Sequence, residues 1–120
     1  MALRAIRGAT QLRADDAVEL EAAVVELMLA VLERNGLDAE ALVSVIFTST
    51  PDLRSQFPAA AARTLGIGDV PLLCAQELAI DGALPRVVRL MAHVETTRAR
   101  SEISHVYLRG AEVLRQDLAQ

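Results

Sequence analysis

The sequence predicts a small protein of the α+β or α/β class, and three observations lead there. Residues 72–77 and 87–94 read as two apolar strands, residues 16–35 as an amphipathic helix, and residues 2–12 as an alternating strand. An amphipathic helix of this kind must bury its apolar stripe, and a sheet face is the partner the strands supply.

In the first strand, Leu3, Ala5, Arg7 and Ala9 share one face, and Arg4, Ile6, Gly8 and Thr10 the other. Arg7 therefore stands among small apolar residues, either as a strand-end arginine reaching solvent or as an anion ligand. Gly8 permits a bulge or the close approach of another backbone. Asp16 and Glu19 have capping-box spacing and open a helix that runs to about Asn35, where Gly36 ends it. Helical spacing places Val18, Ala22, Val25, Met28 or Leu29, and Leu32 on its buried stripe.

One further turn is expected over Asp38–Ala41, then a strand over Leu42–Thr48, rich in β-branched and aromatic residues. Thr50-Pro51-Asp52 signals a turn, with loop through Gln56. Pro58 suits the first position of a short helix that continues over Ala59–Leu65 until Gly66. Phe57 either staples that helix to the core or walls a site, and Arg63 faces water or a ligand. Beyond the two central strands, taken as a pair, Thr96–Ser104 reads as a solvated connection and His105–Leu108 as a last strand. Residues 114–118 form a short tail that frays or folds over a pocket.

The central strands carry stranded charges. Arg89 shares a face with Val87, Met91 and His93, and Glu77 lies alone at the end of its strand. A buried ion without a partner costs several kcal/mol even after relaxation, so each charge sits on a solvated edge or faces something complementary. A bound small molecule is the partner expected here. Cys74 and Glu77 are an odd number of residues apart and project to opposite faces. Either the strand bends between them or they serve two sites at a subunit boundary.

At 120 residues the chain fits one domain. Hydrophobic residues make up 52%, a surplus that suggests subunit contacts, yet no run approaches the roughly 18 apolar residues of a membrane span. Arg4 and Arg7 break the N-terminal apolar pattern, which argues against a secretory signal and for the cytoplasm. One cysteine and two distant histidines give no metal-ligand spacing, so no metal is expected. The net charge is −4 and the aromatics are Phe47, Phe57 and Tyr107, which disfavours nucleic-acid binding. Every basic residue is arginine, so an anion site must use the guanidinium fork that grips carboxylates in pairs.

From residues alone the reading is a small oligomer with an arginine-lined anion site. Several fragments in order extend it: Arg4-Ala5-Ile6-Arg7-Gly8-Ala9-Thr10, Thr50-Pro51-Asp52-Leu53, Phe57-Pro58-Ala59, Cys74-Ala75-Gln76-Glu77, Arg89-Leu90-Met91, and His105-Val106-Tyr107-Leu108 with Leu114-Arg115. With these the chain resembles, from end to end, the monofunctional chorismate mutases of the Bacillus type. The resemblance implies an α+β fold, a mixed sheet with helices outside, assembled as a trimeric pseudo-α/β-barrel with sites at the subunit interfaces. It implies the conversion of chorismate to prephenate, with no cofactor.

It further implies that Phe57, Ala59, Arg63, Leu72, Leu73 and Cys74 line the site from one subunit. Arg7, Glu77, Arg89, Tyr107 and Leu114 then come from its neighbour. Within that set Arg89, Glu77, Arg7 and Cys74 are the expected catalytic residues, the others contact substrate, and Arg63 and Arg115 add positive potential at the mouth. Three departures stand out: Ala60 replaces a lysine of the Bacillus form, Gln116 replaces a proline, and Leu72-Leu73 replaces a valine-threonine pair. Two competing readings are a non-catalytic trimeric binder of small carboxylates and a trimeric imine deaminase. The latter is disfavoured by the presence of both Cys74 and Glu77.

Overall fold

The computed structural model describes residues 1–117, with side chains as far as Leu114. Strand β1 (Ala2–Gln11) leads into helix α1 (Ala17–Arg34), and strand β2 (Leu42–Ser49) into the short helix α2 (Pro58–Arg63). Strands β3 (Leu72–Gln76), β4 (Val87–Thr96) and β5 (Val106–Leu108) complete a five-stranded sheet in the order β3-β2-β4-β1-β5. The central β4 runs antiparallel to β1 and β2, whereas β2 pairs with β3, and β1 with β5, in parallel. The sheet is therefore mixed, in the α+β class expected. The two central strands of the sequence are not a pair, however, because β2 lies between them. Parallel neighbours need a crossover, and α2 with its flanking loops supplies the one from β2 to β3.

Asp16 caps α1 by accepting from the Glu19 N–H at 2.8 Å, as the spacing predicts. The reciprocal half of the box is absent: the Glu19 carboxylate turns back to the Arg13 N–H at 2.6 Å and secures the preceding loop instead. The buried stripe of α1 is Leu20, Ala23, Val24, Leu27, Met28, Val31 and Leu32. Of the expected stripe, Leu32 is inside and Met28 rather than Leu29 takes the shared position, but Val18 is 76% exposed and Ala22 is exposed as well. Alanine and valine populate several sides of this helix, so spacing fits two stripes equally. Bulk decides between them, because Leu20, Leu27 and Val31 fill more of the space over the sheet.

That space is closed from the sheet side by Ile6, Val45, Phe47, Val88, Leu90, Ala92 and Val94. Gly8 belongs to this closely packed layer. A Cβ there would lie 3.2 Å from the Leu27 and Leu90 side chains, while β1 and β4 stay in register throughout. Close side-chain packing, neither a bulge nor another backbone, explains the glycine. The irregularity lies instead in β2, between Leu42 and Ser44.

The connection after β4 is better anchored than its polar composition predicts. Buried Asn35 donates to the Ser104 carbonyl at 2.9 Å and accepts from the Ser104 N–H at 2.8 Å. It also donates to the Val31 carbonyl at 2.8 Å, binding the end of α1 to the approach to β5.

Candidate active site

The face of the sheet away from α1 carries the charges. Register places Tyr107 beside Ala9, Ala9 beside Arg89, Arg89 beside Thr48, and Thr48 beside Ala75, in one row across all five strands. The adjacent row joins Arg7, Met91, Ile46 and Leu73. A cleft of about 370 Å³ opens there, lined by Arg7, Ile46, Thr48, Arg89, Met91 and Tyr107. Beside it Ala9, Val87 and Ala111 make a small apolar cluster against which Tyr107 and Leu114 pack.

Glu77 lies one residue beyond β3, its N–H held by the Ser49 carbonyl at 3.0 Å. From there its carboxylate crosses the end of β2 and meets Arg89, with Nε to Oε2 at 3.0 Å. The Thr48 hydroxyl donates to the same Oε2 at 2.6 Å. The two charges that looked stranded in the sequence are thus each other's partner, within one chain. Because Glu77 is 17% exposed and Arg89 47%, the carboxylate is the more enclosed member and the guanidinium the more accessible one. With Nε set against Glu77 as an ion pair, the Nη groups of Arg89 remain as donors for a ligand. Arg7 has no carboxylate at ion-pair distance among the described residues.

Arg7 also bears on His105, which its backbone N–H contacts at Nδ1 at 2.9 Å. Burial pushes the His105 pKa below its ordinary 6.5, and the neighbouring Arg7 guanidinium pushes in the same direction. The accepting Nδ1 itself requires an unprotonated nitrogen at that position.

Cys74 faces the other side of the sheet, as the parity rule requires. Its sulfur receives the Ala59 N–H at 3.4 Å, so α2 packs against this part of β3. Cys74 lines a separate cleft of about 350 Å³ with Phe57, Pro58, Ser49 and Gln76. Phe57 is 70% exposed at its edge. Ala59 is buried, and Leu72 is directed with Cys74 toward the helices. Leu73 points the opposite way, 61% exposed on the charged face. Arg63 is exposed on the last turn of α2 and lines neither cleft. The Arg115 side chain, like that of Gln116, lies outside the described residues.

Thr50 and Asp52, legible in the sequence only as a turn, hold the start of β4. Thr50 Oγ1 accepts from the Val87 N–H at 3.0 Å, and the Asp52 carboxylate from the Arg86 N–H at 3.1 Å. Thr48 was legible only as a strand residue, because its role depends on which strand lies beside β2. Among the described residues no three His, Cys, Asp or Glu side chains converge as metal ligands would.

Arg7, Arg89 and Tyr107 around a small cleft, with the Glu77 carboxylate paired to Arg89, make a site suited to a compact organic anion on a mixed α+β sheet. The family model for chorismate mutase type I matches residues 3–118, and the chain belongs to that family. It is similar to chorismate mutase AroH of Thermus thermophilus, 47% identical over 117 residues that cover 97% of this chain and 96% of the relative. It is 38% identical over 120 residues to chorismate mutase AroH of Bacillus subtilis, covering 99% and 94% of the two chains. Among solved structures, a chorismate mutase from Clostridium thermocellum superposes with a TM-score of 0.89 at 42% identity, covering 91% of this chain and 97% of that one.

Proposed function

We propose that this chorismate mutase rearranges chorismate to prephenate at sites completed between the subunits of a homotrimer, each chain acting as one domain. The observation that carries the reading is the division of the expected site residues between two clefts. Arg7, Arg89 and Tyr107 surround one, with Glu77 paired to Arg89, while Cys74 and Phe57 line the other. A sheet separates Cys74 from Arg89 within a chain, so a site that uses both takes them from different copies. The charged face also leaves Leu3, Ile46, Leu73 and Met91 exposed, apolar area suited to such contact.

In this reaction a carbon–oxygen bond breaks as a carbon–carbon bond forms within one molecule, so no proton need be transferred. The protein contributes shape and charge. Arg7 and the Tyr107 hydroxyl bind carboxylates of the substrate and hold its enolpyruvyl arm over the ring, and this positioning lowers the entropic part of the barrier. As the ether bond opens, negative charge grows on its oxygen. The free Nη groups of Arg89 stabilise that charge more than the ground state, which is the condition for a gain in rate. Glu77, steadied by Arg89 and Thr48, accepts the ring hydroxyl through its other oxygen.

From the neighbouring copy, Phe57, Leu72 and the Ala59–Cys74 contact form the opposing wall, with Arg63 and Arg115 at the mouth, while Leu114 stays with Tyr107 on the chain that carries Arg89. Leu73 joins the charged face. No metal or cofactor has a part in this scheme. We place the activity in the cytoplasm, where the free thiol of Cys74 suits a reducing compartment.

The test is to follow the ultraviolet absorbance of chorismate with purified protein, converting prephenate to phenylpyruvate in acid. Loss of chorismate with prephenate formed is the expected result. Binding without turnover would replace the mutase reading with that of a carboxylate-binding protein.

A further inference from the structure

We infer that Thr48 is a positioning residue for this reaction, orienting Glu77 so that one carboxylate oxygen is reserved for the substrate. The inference rests on the mutase reading above. Its basis is the crowding at one atom. Glu77 Oε2 accepts the Thr48 hydroxyl at 2.6 Å and forms an ion pair with Arg89, whose Nε lies 3.0 Å away. A hydrogen bond and an ion pair on the same oxygen orient the carboxylate, and Oε1 accepts no hydrogen bond from a described residue.

Thr48 is suited to this by chemistry and by place. A β-branched side chain has few χ1 choices, so its hydroxyl direction is largely set by the backbone. That backbone is directly opposite Arg89 in the β2–β4 ladder, so Thr48 stands between the guanidinium on β4 and the carboxylate just past the end of β3. Without Thr48, Glu77 would be held by Arg89 alone. The carboxylate could then rotate to chelate the guanidinium through both oxygens, a favoured geometry for this pair. Such a chelate would withdraw both the hydroxyl acceptor and an Nη donor from the cleft. Thr48 thus keeps two groups of the site in their working orientation without touching the reacting atoms.

Thr48→Val keeps shape and removes the donor, and Thr48→Ser restores the hydroxyl. The expected result for Thr48→Val is a fall in kcat of roughly tenfold, the scale of one hydrogen bond to a charged group, with KM changed much less. Thr48→Ser should recover most of that loss. In a Glu77→Ala background, Thr48→Val should have no further effect on kcat, because the group it positions is gone. The urea midpoint of Thr48→Val is measured alongside, since a purely structural role would move the midpoint and not kcat. An unchanged kcat in Thr48→Val, or an equal loss with and without Glu77, overturns the inference. Wild-type protein that turns over no chorismate overturns the mutase reading itself, and the role of Thr48 with it.

Discussion

At the scale of single residues, the charges on the open face decide the chemistry. Arg89→Ala should lower turnover by at least ~10²-fold, the usual cost of removing one donor from a developing oxyanion. Steady-state kinetics checks this, and near-normal kcat would remove Arg89 from the mechanism. His105 gives a second expectation, about pH. Its folded pKa lies below 6.5, so as pH falls the unfolded chain takes up the proton first. Stability present above 6.5 is therefore lost as pH drops through that value toward the folded one. Urea midpoints at about pH 7.5 and about pH 5.5 should show the decline, and His105→Gln should flatten it. Asp15 acts in a different window: hydrogen bonds from Arg54 and Ser55 lower its pKa from 3.8, so its contribution fades only below that value. Arg89 and Glu77 were both legible as site candidates, since a charge inside an apolar strand is conspicuous. Their mutual ion pair was not, because it spans an intervening strand that local spacing does not reveal.

At the scale of elements, the fold depends on a few polar anchors between apolar layers. Asn35→Ala should destabilise the protein by about 2 kcal/mol, because Ser104 N–H and two carbonyls lose a partner in a largely buried place. Denaturant titration measures it, and a change within a few tenths of a kcal/mol would show that water replaces the anchor. The position of this residue was legible as a helix end, but its tie to residue 104 was not. The α1 stripe teaches a similar lesson. Met28 and Leu32 fell on the buried side, whereas Val18 and Ala22 did not, because an alanine-rich helix offers more than one apolar stripe and only packing against the sheet selects one.

At the scale of the whole molecule, the proposed assembly makes a direct prediction of mass. Light scattering at micromolar concentration should give about three times the 12.9 kDa of one chain. A clean monomer that still turns over chorismate would contradict a site shared between copies. The opposite orientations of Cys74 and Glu77, legible from strand parity alone, already point to sharing, since a strand cannot turn both toward one cleft.

Read alone, the residues carry the α+β or α/β class, the family resemblance that narrows it to α+β, and the approximate limits of strands and helices. Those follow from local patterns: period-two and helical spacing, caps, turn residues, and ordered fragments such as Cys74-Ala75-Gln76-Glu77. Three-dimensional packing alone reveals that β2 separates β3 from β4, that α1 buries the stripe through Leu20, Leu27 and Val31, and that Thr48 and Arg89 converge on one oxygen of Glu77. The reason is physical. Local signals report what a segment prefers, whereas partner choice depends on how distant segments fill one volume and satisfy one another's charges, which no single stretch contains.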